Sequence, residues 1–88
     1  LPIFLVYDVG EKRVGKMLKL CRKYLHWIQN SVFEGELTKG QRQELLQRAK
    51  VIMEKEEDSL IIFTMDSDKY LDKQIIGVDK GGLTDNFI

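Results

Sequence analysis

This sequence has very little cysteine and proline, and its formal net charge is zero. The 88 residues include one cysteine and one proline, and 14 basic residues balance 14 acidic ones. A single cysteine cannot form an internal disulfide, which excludes the disulfide-stapled secreted domains and indicates a reducing compartment. Because the net charge is zero, overall charge gives no argument for a histone-like or acidic-tail protein, and partners must be inferred from local charge.

Long hydrophobic runs are missing as well. The apolar stretch at residues 1–7 is too short to span a bilayer, and it lacks the basic flank and small-residue cleavage site of a signal peptide. We therefore expect a cytoplasmic protein with no membrane segment. With 43% hydrophobic residues, the chain can fill one core, which predicts a single domain over residues 1–88 that a partner subunit helps to stabilise.

The first half of the chain predicts a strand, a helix and a second strand. Residues 2–7 are nearly all apolar and rich in β-forming side chains, which indicates a strand buried on both faces with Asp8 at its carboxyl end. Apolar residues at helical spacing then predict a helix from Glu11 to about Leu25. Alternating polarity predicts a strand within residues 26–37.

The second half predicts another helix and further strands. Thr38 followed three residues later by Gln41 is a capping-box pattern, and it predicts a helix that ends before an acidic stretch. Residues 60–65 are an apolar strand, residues 66–73 are polar and predicted as a loop, and residues 74–78 are a short strand candidate. We interpret the chain as an α+β ferredoxin-like βαββαβ sandwich with an antiparallel sheet.

In that fold the helices cover one face of the sheet, so the other face needs a cover of its own. Both alternating sets of side chains in the first strand are apolar, which predicts that a second copy packs on the uncovered face. The tail, residues 79–88, carries apolar residues after two glycines, and we expect it to add a strand to the partner's open edge. The expected assembly is therefore a homodimer.

Asp8 is the strongest candidate for chemistry. A carboxylate at the end of a central strand is rigidly placed and can hold a hard divalent cation such as Mg²⁺ or Mn²⁺ through oxygen. The alternative is that Asp8 and Glu11 form a helix N-cap pair. A two-fold dimer would bring two Asp8 side chains together, and their mutual repulsion would favour a cation between them.

A basic ridge lies along the first predicted helix. Its members, Lys12, Lys16, Lys19 and Lys23, recur at helical spacing, and the helix carries six basic residues and one acidic residue. Together with Arg13, the ridge is a candidate contact for the phosphate backbone of RNA or DNA. An ordinary solvated helix face explains the same spacing equally well.

Three other motifs resemble known binding or catalytic sites, but each lacks a residue that such a site requires. Residues 10–17 approach a phosphate-binding loop, but Met17 stands where a Ser or Thr hydroxyl must bind magnesium. Cys21 and His26 lack the neighbours that a zinc site or a Cys-His nucleophile requires. Asp66, Asp68 and Asp72 resemble the start of a calcium-binding loop, but Leu71 occupies the position where such a loop requires glycine.

Taken together, the motifs resemble the CRISPR-associated protein 2 family. The resemblance rests on the strand that ends in Tyr7 and Asp8, on the downstream Arg13, and on the segment Gln-Asn-Ser-Val-Phe-Glu-Gly, which contains Ser31 and Phe33. It covers nearly the whole chain in length, element order and motif position.

This resemblance implies a ferredoxin-like homodimer in which Asp8 faces its symmetry mate and binds a divalent metal. It further implies an endonuclease that cuts single-stranded RNA or double-stranded DNA, and a role in CRISPR adaptation, where the dimer joins integrase subunits during spacer acquisition. Members of the family often carry a basic residue where this chain has Trp27. We expect Trp27 to be a core or interface residue rather than a nucleic-acid contact.

Three other functions stay open at this stage. The first is a non-catalytic DNA-binding adaptor that bridges integrase dimers, in which Asp8 is a cap or a dimer contact. The second is a toxin-like ribonuclease with the same fold, and the third is a small-molecule regulatory domain, since this fold hosts many functions.

Overall fold

The computed structural model describes residues 1–66 and 70–81, and they form a five-stranded sheet with two helices. The elements are β1 (Pro2–Asp8), α1 (Glu11–Tyr24), β2 (His26–Gln29), β3 (Val32–Glu36), α2 (Lys39–Ile52), β4 (Ser59–Asp66) and β5 (Tyr70–Gly77). No helix in this part of the chain is long and apolar enough to cross a membrane.

The architecture is the predicted α+β ferredoxin-like fold with an antiparallel sheet. The strand order is β2-β3-β1-β4-β5, and each neighbouring pair is antiparallel. Helix α1 connects β1 to β2, which lie on either side of β3, and helix α2 connects β3 to β4, which lie on either side of β1. The two strands joined by a helix therefore run in the same direction, with an antiparallel strand between them. Because β1 lies between β3 and β4, its last residue, Asp8, is at the middle of one end of the sheet.

The strand predicted within residues 26–37 is interrupted by a turn, so this segment is a hairpin of two strands, as the predicted βαββαβ order requires. β2 and β3 are joined at Asn30 and Ser31, and Asn30 adopts a positive φ of 47°. Asparagine tolerates this conformation better than most residues do. Alternating polarity continues through the turn, so periodicity alone does not reveal where the first strand ends.

The predicted loop at residues 66–73 is wrong in its second half. β5 begins at Tyr70 and pairs with β4 along its whole length. Three consecutive polar residues, 72–74, lie within β5, and all three are exposed. Such residues resemble a loop in sequence, but they are common on a strand at the edge of a sheet.

The helices begin as their sequences predict. Thr38 Oγ1 accepts a hydrogen bond from the backbone N–H of Gln41 at 3.1 Å, and Gln41 Oε1 accepts one from the N–H of Thr38 at 2.9 Å. This is the reciprocal capping box, which satisfies two of the N–H groups that a helix start leaves without partners. The capping-box prediction for α2 is therefore confirmed.

The main core lies between the two helices and one face of the sheet. Its fully buried side chains come from every layer, and they include Leu5, Met17, Cys21, Phe33, Leu45, Leu60 and Ile62. The opposite face of the central strands is also apolar, with Phe4 paired to Phe63 and Val6 paired to Ile61 across β1 and β4. The tail strand predicted within residues 79–88 falls mostly outside the described residues, so its pairing with a partner stays a prediction.

A candidate metal and nucleic-acid site at the end of β1

Asp8 presents a half-exposed carboxylate at the end of the central strand. The side chain is 51% exposed, and Lys80 Nζ lies 3.2 Å from Asp8 Oδ2. The same ammonium is 3.5 Å from the backbone carbonyl oxygen of Asp8. A cationic group is therefore already in contact with two oxygens of this residue.

The alternative interpretation of Asp8 as a helix cap is wrong. The N-cap of α1 is Gly10, which has no side chain to cap the helix, and the side chain that accepts a hydrogen bond from the Gly10 N–H is that of Asp58. Glu11 contributes its charge to the first turn, where a carboxylate interacts favourably with the helix dipole. The carboxylate of Asp8 is therefore free of any role in starting the helix.

The surroundings of Asp8 fit one half of a divalent cation site. Mg²⁺ is usually held by one or two carboxylates together with waters and substrate phosphates. Asp8 pairs with Ser59 across β1 and β4, and within the described residues the buried Ser59 Oγ has no hydrogen-bond partner. In residues 1–66 and 70–81, Asp8 belongs to no cluster of three or more His, Cys, Asp or Glu side chains.

A buried carboxylate, Asp58, fixes the loop that follows Asp8. Its Oδ1 accepts hydrogen bonds from the Gly10 N–H and from Arg13 Nη2, both at 2.9 Å. Its Oδ2 accepts hydrogen bonds from Arg13 Nε at 2.6 Å and from the Glu54 N–H at 2.9 Å. We call this arrangement the Asp58 clamp. It ties the start of α1 to the loop before β4 and holds the backbone beside Asp8 in one position.

The backbone of Gly77 lies very close to the backbone carbonyl of Asp58. This glycine has a φ of +86°, and a Cβ atom there would collide with the carbonyl oxygen of Asp58. The next residue, Val78, donates its backbone N–H to the same carbonyl at 2.8 Å. The end of β5 is therefore held against the clamp as well.

Arg13, which the sequence predicts as a nucleic-acid contact, is engaged inside the clamp. Besides its two bonds to Asp58, its Nη2 donates to the exposed Glu57 at 3.0 Å, and the side chain is only 20% exposed. The hydrogen bonds to Asp58 raise the pKa of Arg13 above its already high usual value. The structure thus gives Arg13 an internal partner, and a contact with nucleic acid stays a prediction.

The clamp predicts a specific loss of stability in acid. The hydrogen bonds from Arg13 lower the pKa of Asp58 from 3.8 to about 2, with the Glu54 and Gly10 N–H groups acting in the same direction and burial opposing them. A lowered folded-state pKa contributes stability that is complete above the unfolded value and is lost as the pH falls through the folded value. We expect a loss of about 2 kcal/mol between about pH 4 and pH 2.

Urea unfolding at a series of pH values tests this expectation. Asp58→Asn removes the titrating group, so its stability profile should be flatter than that of the wild type in this window. Parallel profiles for the two proteins would contradict the assignment of the acid-sensitive interaction to Asp58.

The motif residues Tyr7, Ser31 and Phe33 lie together beside Asp8, but largely inside the fold. The rings of Tyr7 and Phe33 stack with their centroids 5.8 Å apart, and the Tyr7 N–H donates to the Ser31 carbonyl at 3.2 Å. Burial raises the pKa of Tyr7 to about 12. These residues therefore support the end of β1 from the core side of the sheet.

Cys21 also belongs to the core, as its place on the apolar helix face predicts. The side chain is fully buried, and burial raises the pKa of the Cys21 thiol to about 12. A nucleophilic cysteine needs its thiolate, so this residue has the properties of a packing side chain.

The basic ridge of α1 is open to solvent. Lys12, Lys16, Lys19 and Lys23 are all exposed, and at ~100° per residue they fall within a sector of about 60° around the helix. In the described part of the chain, none of the four takes part in an ion pair. The ridge starts just after the Asp8 loop and extends about 16 Å along the helix, which suits a run of backbone phosphates.

Comparison with protein families gives a match over most of the chain. A family model described as CRISPR associated protein Cas2 matches residues 2–73. A protein of Thermotoga maritima named CRISPR-associated endoribonuclease Cas2 is 46% identical over 86 residues, which cover 98% of this chain and 97% of that protein. A protein of the same name from Methanothermobacter thermautotrophicus is 38% identical, covering 92% of this chain and 89% of the relative.

Solved structures agree with these sequence matches. A crystal structure titled as that of cas2 superposes with a TM-score of 0.72 at 44% identity, covering 91% of this chain and 90% of the other. A crystal structure of Streptococcus pyogenes Cas2 superposes with a TM-score of 0.70 at 27% identity, covering 77% of this chain and 89% of the other.

Proposed function

Because this chain belongs to the CRISPR associated protein Cas2 family, we propose that it is a metal-dependent endonuclease that hydrolyses phosphodiester bonds of single-stranded RNA. The half-exposed carboxylate of Asp8 at the end of the central strand carries this proposal. The name of the relatives, endoribonuclease, supports RNA as the substrate. The protein would act in the cytoplasm during CRISPR adaptation.

The site is completed by a second copy of the chain. One chain offers a single carboxylate at the end of β1. On the sheet face away from the helices, Val6, Ile61 and Phe63 are already buried within the chain and Phe4 is half-buried, so it is Asp8, rather than exposed apolar surface, that favours a dimer. A two-fold arrangement would bring the two Asp8 residues near one axis and place two carboxylates around one cation. The homodimer is therefore part of the proposal.

Each part of the site has a separate task in this reaction. The two Asp8 carboxylates would hold Mg²⁺ or Mn²⁺ in place of the Lys80 ammonium, and the cation would supply Lewis-acid polarisation of the scissile phosphate. The Asp58 clamp keeps the backbone beside Asp8 fixed. The basic ridge binds the phosphates that flank the scissile bond and so orients the strand.

Charge reversal on the basic ridge tests how the substrate is held. Lys16→Glu combined with Lys19→Glu should weaken binding of single-stranded RNA by at least about tenfold, because two phosphate contacts become repulsive, and should reduce the salt dependence of binding. Fluorescence anisotropy of a labelled RNA between about 50 and 200 mM salt measures both effects.

A matched control separates the ridge from net charge. Lys50→Glu with Lys55→Glu produces the same change in charge at exposed positions outside α1. This control pair should weaken binding much less than the ridge pair. Equal losses from the two pairs would mean that the RNA responds to overall charge and that the ridge is an ordinary solvated face.

A second candidate function is a nucleic-acid-binding adaptor that joins CRISPR integrase subunits and does not cut. The ion pair between Lys80 and Asp8 favours it, since the carboxylate already has a cationic partner within the chain. The two functions differ in a simple assay. An adaptor binds nucleic acid but does not cleave it with any divalent metal, and Asp8→Asn leaves its binding unchanged.

A further inference from the structure

Trp27 is the most exposed of the Trp, Tyr and Phe side chains that the structure describes. It is 48% exposed and lies in β2, all four residues of which are open to solvent. The register of β2 against β3 shifts between Trp27 and Gln29. Of the two places that the sequence predicts for Trp27, the core is therefore wrong, and an interface with another chain stays a prediction.

The indole ring is held in one orientation. Its Nε1–H donates to the carbonyl oxygen of Asn30 at 2.8 Å, within the β2–β3 hairpin. The polar edge of the indole is thus satisfied locally, while much of the side chain is still accessible. A ring that is already ordered loses little conformational entropy when a ligand packs on it.

A cation lies against the same ring. The guanidinium carbon of Arg22 is 5.6 Å from the centroid of the Trp27 ring, which is within the range of a cation–π interaction. At ~100° per residue, Arg22 is about 60° from Lys19 around α1. Arg22 therefore extends the basic ridge sideways to β2, and α1 has no acidic residue after Glu11 to oppose this charge.

We infer that Trp27 and Arg22 form a stacking platform for an unpaired base of a single-stranded nucleic acid whose phosphates follow the basic ridge. Aromatic planes beside a cationic track are the features with which proteins bind single strands, because every base has a face that can stack. In a duplex those faces are covered by neighbouring bases. The platform therefore favours single strands over duplexes.

The platform lies on the helix side of the sheet, next to the basic ridge. Trp27 pairs with Phe33, and Phe33 pairs with Leu5, three residues before Asp8 on β1. Two strand spacings across the sheet and three residues along it separate the backbone of Trp27 from that of Asp8 by about 14 Å. Because side chains alternate between the two faces along a strand, Asp8 starts on the face opposite to Leu5 and Trp27, and the platform adjoins the ridge rather than the Asp8 carboxylate. The choice of RNA rests on the proposed function, whereas the stacking itself needs no cleavage.

Tryptophan fluorescence tests the platform directly, since Trp27 is the only tryptophan in the chain. Oligouridylate RNA is added to the Asp8→Asn protein in EDTA, which keeps the RNA intact. We expect emission to be quenched, with a midpoint equal to the dissociation constant measured by anisotropy. An RNA duplex of the same length should bind through its phosphates with much less quenching.

Substitutions then measure what the platform contributes. Trp27→Ala should weaken single-strand binding by about tenfold or more while leaving duplex binding unchanged. Trp27→Phe should retain most of the affinity, because it keeps an aromatic plane. Ile28→Ala is the matched control, since Ile28 is the neighbouring exposed apolar residue, at 46% exposure, and it should have no effect. Circular dichroism establishes that each variant is folded.

Two results would overturn the inference. The first is saturable RNA binding without quenching, or a folded Trp27→Ala protein that binds single strands as tightly as the wild type. The second is a Trp27→Ala protein whose oligomeric state changes in sedimentation velocity while RNA affinity does not, which would place Trp27 in a protein interface. If the wild type fails to cleave but Trp27-dependent quenching persists, the proposed function fails and the platform stands.

Discussion

Asp8→Asn is expected to reduce cleavage of single-stranded RNA by at least about 10²-fold, the scale of losing a group that stabilises charge in the transition state. The amide is nearly the same size as the carboxylate but carries no charge with which to hold a divalent cation. In the proposed dimer, one substitution removes both carboxylates from the shared site. Single-turnover cleavage of an end-labelled RNA in Mg²⁺ measures the effect.

The matched control for this variant is Glu11→Gln. It makes the same carboxylate-to-amide change at an exposed position three residues away, and it should leave the cleavage rate close to that of the wild type. The Asp8→Asn protein should also keep its stability within about 1 kcal/mol, because the ion pair that it loses is at the surface. Cleavage by Asp8→Asn at the wild-type rate would remove Asp8 from the mechanism.

Asp58→Ala is expected to lower the free energy of unfolding by about 3–5 kcal/mol, the usual cost of removing one partner from a buried ion pair. Asp58 is 0% exposed, and its loss would leave the Arg13 guanidinium and the N–H groups of Gly10 and Glu54 without their acceptor. Urea unfolding followed by circular dichroism at neutral pH measures the change.

Glu57→Ala is the control, because it removes an exposed carboxylate partner of Arg13 instead of the buried one. Glu57 accepts a hydrogen bond from the same Arg13 at 3.0 Å, but its side chain is 71% exposed. An exposed ion pair contributes little, so this variant should lose no more than about 1 kcal/mol. If Asp58→Ala and Glu57→Ala cost the same, the clamp does not stabilise the loop beside Asp8 in the way the geometry indicates.

The sequence predicts the parts of the fold whose signals are local. The apolar runs that become β1 and β4 and the capping box at Thr38 each depend on residues close together in the chain. The turn of the β2–β3 hairpin was not located because Asn30 provides it without a glycine or proline to mark it. The first half of β5 was missed because its polar residues, 72 and 73, are stabilised by pairing with β4, a contact that local composition does not reveal.

Only part of the candidate site could be predicted, because some of its residues are marked by local sequence and others only by contacts between distant segments. Asp8 could be identified because it directly follows an apolar strand. Asp58 could not, since it is one of several acidic residues in the stretch before β4, and only its burial against Arg13 and Gly10 distinguishes it. Trp27 is exposed on β2, a strand at the edge of the sheet, and the alternating pattern of the sequence does not reveal which strands lie at an edge.

The most direct test of the account is whether the purified wild-type protein cuts a labelled single-stranded RNA with Mg²⁺ and not with EDTA, over protein concentrations that span dimer formation. The account predicts cleavage that stops in EDTA, returns when excess Mg²⁺ is added, and rises per chain as the dimer forms. Cleavage that continues in EDTA would contradict the metal-dependent mechanism. Absence of cleavage with Mg²⁺ or Mn²⁺ at every concentration would contradict the nuclease assignment and favour the adaptor.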